Sequence, residues 1–286
     1  YLDKFYEEWY LDYASYVILE RAVPKLEDGL KPVQRRILHS MFEMHDNRFH
    51  KVANIIGHSM KYHPHGDASI GDALVNLTHR SMLIETQGNF GDVRTGDKAA
   101  APRYIEAKLS NFAVDISINK RLTTFQDSYD GRNKEPVALS MKFPILLLNG
   151  VDGIAVGLST KILPHNFQEL LKASIAILNE KTYRIVPDFE NGGFIDVDDY
   201  KMGKKGGKVR LRSEIEISSK DQIIIKSVPY TVTTGSLIDS ILKANENGKI
   251  KIKNIEDNTA EDVNITINLP KGISPNKIID GLYLFT

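Results

Sequence analysis

Two short apolar-striped segments joined by Lys61-Tyr-His-Pro-His-Gly66 restrict what this chain can fold into more than any other feature. The first carries Val52, Ile55, Ile56 and Met60, and the second carries Ile70, Leu74 and Leu77. Steps of three and four put each set on one helical face. Asp67 is placed to act as the N-cap of the second helix. Two amphipathic helices joined by a tight turn predict a helix-turn-helix, the second being the recognition helix. Strand-forming stretches around 83–89 and 103–107 would supply a wing. Residues 21–108 therefore predict a winged helix inside a larger α+β chain.

Upstream, residues 1–20 hold Asp3, Glu7, Glu8, Asp12 and Glu20 against Lys4, with Leu2, Tyr6, Trp9, Tyr13 and Tyr16 between them. That pattern predicts an acidic, aromatic-bearing helix. Arg21 to Leu30 is broken by Pro24 and Gly29 and reads as a connecting loop. Pro32 opens a helix at a position where its missing N–H costs nothing. Near that start lie Lys31, Arg35 and Arg36, a basic cluster that in most proteins is simply a solvated face. Seven of the 8 histidines fall between His39 and His79. Zinc would need three or four ligands with a supporting cysteine or carboxylate geometry, which the spacing lacks, so no metal site is expected. His63 and His65, at the turn before the second helix, suit hydrogen bonds to phosphate better.

The stretch from Gln87 to Leu109 carries Gly88, Gly91 and Gly96, then a run of small residues ending at Pro102, then Arg103-Tyr104. Tyr104-Ile-Glu-Ala107 predicts a short strand that holds the tyrosine at a defined height. A phenol has a pKa of about 10 and is a poor nucleophile unless nearby cations favour its phenolate. Arg103 can provide that charge and can also grip a phosphate through two parallel hydrogen bonds. An isolated Arg-Tyr pair would ordinarily be a half-buried tyrosine beside a surface arginine.

Beyond residue 109 the sequence predicts a helix, a loop over Asp127–Pro136, and apolar segments at Ile145–Leu148 and Gly153–Gly157, the latter a buried strand with glycines for close packing. No GxGxxG or GxxxxGK[ST] loop occurs, so this chain is not expected to bind ATP. From Asp188 onward the pattern turns to strands at Lys208–Ile217, Gln222–Val228 and Val263–Leu269. Helices are predicted at Ser236–Asn245 and Pro275–Leu282.

The 286 residues suffice for two or three domains, and a content of 42% hydrophobic and 26% charged residues is that of an ordinary globular protein. With 37 basic and 37 acidic residues the net charge is zero, so any polyanion partner must be met by local charge. The absence of cysteine excludes disulfides and thiol chemistry and fits a reducing compartment. No apolar run is long enough to span a membrane and no signal peptide opens the chain. It opens on Tyr1 rather than Met and stops at Thr286, so a fragment is expected.

The stretches DGLKPVQRRIL, KYHPHGD, QGNFG, AAAPRYIEAKL and NGVDGIAVGLSTKILPHN resemble, in order and spacing, the breakage-reunion A subunit of bacterial type IIA topoisomerases. The resemblance extends through nearly the whole chain. It implies an arm at 1–20, a winged-helix cleavage domain at 21–125 and a mixed α/β tower at 126–286 that ends before the family's coiled coil. It implies Tyr104 as the DNA-cleaving nucleophile and Arg103 as its catalytic partner. DNA contacts would fall to Lys31, His63, His65, Arg21, Arg35 and Arg36, and Ile154 would insert between bases. Tower lysines 201, 204, 205 and 208 would support flanking DNA. The implied partners are double-stranded DNA, a second copy of the same subunit (a homodimer), plus the topoisomerase B subunit in an A2B2 assembly. Mg²⁺ would be held mainly by the B subunit, which would also use the ATP. The implied location is cytoplasmic and nucleoid-associated. Ala68 and Asp72 match the family's anchor for quinolone inhibitors, with alanine where the family usually has serine. HGDASIGDALV leans towards topoisomerase IV over gyrase. A non-catalytic winged-helix DNA-binding protein is the rival reading.

Overall fold

The computed structural model describes residues 2–80, 82–119 and 121–286, with the side chains of Leu2, Asp3 and Arg80 outside that description. Tyr1 and the side chains of Leu2 and Asp3, counted above in the acidic helix, thus lie outside the described residues. The chain divides into two units, residues 1–90 with 99–187, and residues 91–98 with 188–286.

In the first unit, α1 (Leu2–Val17) runs into a π-helical turn at Ile18–Ala22. Helix α2 (Pro32–Glu43) starts on its proline, and the Lys31 N–H donates to Gln34 Oε1 at 2.9 Å. Strand β1 (His50–Lys51) leads straight into α3 (Val52–Ser59), and α4 (Asp67–Arg80) follows the tight turn. The apolar stripes are buried apart from Met60, which caps the end of α3 and is 45% exposed: Ile37, Leu38, Val52, Ile55, Ile70, Leu74 and Leu77 are at most 2% exposed and form one core. Asp67 is the first residue of α4 rather than its cap, its carboxylate accepting from the Ala68 N–H at 2.9 Å. Strand β2 (Ile84–Gln87) pairs antiparallel with β3 (Glu106–Leu109), and β1 adds to the other edge of β3, giving the order β1-β3-β2.

Helix α5 (Asn111–Ser117) is capped by Ser110, whose Oγ accepts from the Ala113 N–H. The stretch read as a loop over 127–136 is instead a hairpin of β4 (Phe125–Asp127) and β5 (Lys134–Pro136). Cross-strand pairing, which local sequence does not display, decides that difference. Helix α6 (Ile145–Asn149) precedes a second hairpin, β6 (Val151–Ile154) with β7 (Ser159–Ile162). Here the expected buried strand is half right. A Cβ on Gly153 would strike the Ala22 carbonyl, so close packing does require that glycine. Ile154, however, is 82% exposed beside the turn closed by the Ala155 N–H on Leu158 O. Helix α7 (Phe167–Leu178) is capped by Asn166.

The second unit contains β8 (Phe194–Asp196) paired with β9 (Arg210–Arg212), then β10 (Ile215–Ser219) and β11 (Gln222–Ile225). Helix α8 (Thr234–Glu246), β12 (Asn254–Asp257), β13 (Ile265–Asn268) and α9 (Pro275–Phe285) complete it. One strand expected over 208–217 is thus two, serving different sheets. The larger sheet is antiparallel in the order β10-β11-β13-β12. Ile223 and Ile225 face Ile267 and Ile265 in register, each at most 1% exposed. Residues 91–98 join this unit: the Thr234 N–H donates to Arg94 O, and Arg94 Nη1 to Glu261 O, both at 2.8 Å. Mixed α and β structure is therefore what the chain adopts. Among the described residues no helix is long and apolar enough to cross a membrane.

Candidate nucleic-acid interface

A groove of about 790 Å³ opens in the first unit between the start of α2, the start of α4 and the residues leading into β6. Arg21, Lys31, His63, His65 and Ala68 all line it. Lys31 Nζ donates to Asp152 O at 2.8 Å across the groove. Arg21 and His65 are exposed, and His65 Nε2 lies 2.6 Å from the Tyr16 hydroxyl. His63 is only 7% exposed, with its ring edge-on to His65 at 4.9 Å. Burial pushes the His63 imidazole down to about 4, and the positive charges of Arg36 and His65 act in the same direction. The lining carries two cations, Arg21 and Lys31, two carboxylates, Glu20 and Asp152, and the two imidazoles.

Arg35 and Arg36, two of the residues expected at phosphate, are paired with carboxylates of this chain. Arg35 is buried, its guanidinium paired with Asp28 and donating to Leu30 O at 2.9 Å. Asp28 is itself saturated, accepting also from the Leu30 and Leu139 N–H groups at 3.0 and 2.9 Å. Arg35 is on the inward side of α2, where the core acid Asp28 offsets its desolvation. Arg36 is engaged too: its Nε and Nη2 donate to Glu135 at 2.7 and 2.9 Å. Neither carries a guanidinium open to phosphate. Asp28 and Glu135, the acids responsible, have no local pattern that marks a carboxylate destined for burial, and the partner of Glu135 lies 99 positions away.

Arg103 and Tyr104 lie on a turn rather than on a strand, since β3 begins only at Glu106. The Tyr104 N–H donates to Ala101 O at 2.9 Å, with Pro102 at the second position of the turn, where its fixed φ fits. The first turn of α3 then grips both flanks: the Ala53 N–H donates to Pro102 O at 3.1 Å and the Val52 N–H to Ile105 O at 3.0 Å. Gly88 has φ +102°, and a Cβ there would come within 3.0 Å of Ile105 Cγ2, so this glycine allows the backbone to pass close behind the turn. The result is a rigid base with an outward-facing pair. Tyr104 is 64% exposed, and the Arg103 guanidinium carbon sits 4.5 Å from its ring centroid.

Not every expected residue meets at the groove: Arg103, Tyr104, Asp72 and Ile154 do not line it. Asp72 is exposed one turn along α4 from Ala68, which is exposed as well. Ser69 also lines the groove, but its hydroxyl donates to Gly66 O at 2.7 Å. Lys201, Lys204, Lys205 and Lys208 are exposed in the second unit.

Residues 21–286 match the family model that describes the A subunit of DNA gyrase/topoisomerase IV. Over 97% of its length the chain is 50% identical to the A subunit of DNA topoisomerase 4 from Borreliella burgdorferi, of which it covers 44%. It is 40% identical over 97% of its length to the A subunit of DNA gyrase from the same organism, covering 37% of that protein. With the A subunit of DNA gyrase from Thermotoga maritima it shares 39% identity over 96% of its length, again covering 37%. The chain therefore spans less than half of each of these relatives.

Proposed function

Because the chain belongs to the A-subunit family of DNA gyrase/topoisomerase IV, we propose that it is the DNA-cleaving portion of a type IIA topoisomerase. The observation that carries this reading is the exposed Tyr104 on a braced turn with a guanidinium over its ring. In the proposed step the Tyr104 oxygen attacks a backbone phosphorus. A new O–P bond forms at the 5′ side and the bond to the 3′ oxygen breaks. The phenol proton is given up and the departing 3′ oxygen gains one, leaving a free hydroxyl. One phosphodiester replaces another, so resealing is the same step reversed and needs no ATP. Arg103 stabilises charge on the non-bridging oxygens. Helices α2 to α4 with the β1-β3-β2 sheet act as a winged helix, α4 being the recognition helix. Lys31, Arg21, His63 and His65 hold the backbone in the groove, and Ile154 on its exposed hairpin serves as the apolar wedge between bases.

Residues 1–20 act as an arm, 21–125 as the cleavage domain and 126–286 as the tower. Two copies work with two B subunits, which bring Mg²⁺ and consume ATP to relax or decatenate DNA. Among the described residues of this chain no three His, Asp or Glu side chains converge on one point. Topoisomerase IV is favoured over gyrase, on 50% against 40% identity to the two proteins of one organism. The test is incubation of the complete protein with its B subunit, Mg²⁺ and DNA, followed by denaturation. A covalent protein–DNA adduct that vanishes in Tyr104→Phe is expected. A protein that binds DNA without any adduct would overturn the enzyme reading in favour of binding alone.

A further inference from the structure

Arg36 Nη1 lies 3.3 Å from His63 Nδ1, and a guanidinium can only donate. Nδ1 is thus the accepting nitrogen of this contact, which in a neutral ring leaves the proton on Nε2. Arg36 is not free to rotate away. Glu135 grips it through both carboxylate oxygens at 2.7 and 2.9 Å, and the Glu20 carboxylate lies 3.7 Å distant. Glu135 is 3% exposed and is steadied by Gln126 Nε2 at 3.2 Å. The groups around His63 are thus Arg36 from α2, Glu135 from β5 and His65 from its own turn. Tyr16 and Glu20 act at one remove, through His65 and Arg36.

We propose that Arg36 and Glu135 are positioning residues that hold His63 as a neutral Nε2–H donor to a phosphate oxygen in the groove. This rests on the DNA reading given above. Low solvent exposure and the adjacent cation both disfavour the imidazolium, consistent with the depressed pKa of His63. His63 then supplies direction rather than charge. The basic-looking motif Lys61-Tyr-His-Pro-His has one histidine fixed neutral by an ion pair far away in sequence. Arg36, a cation turned away from the groove, contributes to cleavage without touching DNA.

Two measurements test this. Histidine-15N NMR of the wild-type chain between pH 5 and 8, with His63→Gln for assignment, reads the tautomer directly. A protonated Nε2 with a bare Nδ1 throughout is expected; an Nδ1–H form, or a doubly protonated ring at pH 6, overturns the proposal. This readout needs neither DNA nor activity, so its failure is distinct from failure of the cleavage reading. In the holoenzyme, Arg36→Gln removes the two-oxygen grip together with the charge that a phosphate contact would use. Adduct formation should fall roughly ten- to a hundredfold, as for a displaced reacting group, with no change in the salt slope of DNA binding. A slope lowered by about one, the signature of a lost phosphate contact, would overturn it.

Discussion

Arg35 and Lys31 sit four positions apart at the start of α2, yet their substitution should have opposite consequences. Arg35→Met leaves the Asp28 carboxylate buried without its cation, since that side chain is 0% exposed. Breaking such a pair costs roughly 3–5 kcal/mol, a fall in Tm on the order of 10 °C for a unit of this size. Lys31→Ala, which loses one exposed hydrogen bond to Asp152 O, should lower Tm by only about a few degrees and weaken DNA binding alike across sequences, lowering the salt slope by about one. Calorimetry beside salt titrations of binding separates the two, and equal Tm values would refute the assignment of Arg35. Ala68 carries a different expectation. A methyl group offers no hydrogen bond, and Ser69 spends its hydroxyl proton on Gly66 O. Ala68→Ser should therefore raise quinolone-stabilised cleavage by roughly ten- to a hundredfold in drug concentration, the worth of one charge-assisted hydrogen bond. An unchanged drug response would show that position 68 is not an anchor.

The turn Ala101–Tyr104 is held by its own hydrogen bond, by Pro102 and by two N–H groups of α3. Of these, only the proline acts by limiting the backbone itself. Pro102→Gly would keep every acceptor in place but widen the conformations open to Arg103 and Tyr104. DNA affinity should stay within about twofold, while adduct formation falls roughly tenfold or more through misplacement of the nucleophile. Equal losses in both would mean that the turn contributes to binding rather than to aim.

The two units have separate apolar cores, one centred on α2, α3 and α4 and the other on β11 and β13. All 8 histidines belong to the first unit. Burial lowers His63 to about 4, and lowers His39 and His58 below their ordinary value of 6.5. Between pH 6.5 and about 4 the unfolded chain therefore binds more protons than the native one, so stability falls as pH falls through that window. In the second unit the shifted acids, Asp92 and Asp257, lie below 3.8 and are silent there. Calorimetry at pH 7.5 and 5.0 should accordingly lower the transition of the first unit and leave that of the second in place. A common shift of both would contradict this separation, and His63→Gln should reduce the shift of the first.

Periodicity alone determined the helices α2, α3, α4 and α8 and the strands β11 and β13, because an apolar stripe can be buried in only one way. The turn before α4 was equally legible, since proline and glycine act over a few residues. What sequence could not supply was the fate of each charge. Arg35, Arg36 and Lys31 look alike in a row, and only tertiary structure decided that Asp28 and Glu135 would claim the first two. Those acids stand 7 and 99 positions away from their arginines, and the longer separation has no periodic signature. The strand expected through Tyr104 gave way for the same reason. Its carbonyl neighbours were needed by the free N–H groups of α3, a demand that exists only once the two segments meet.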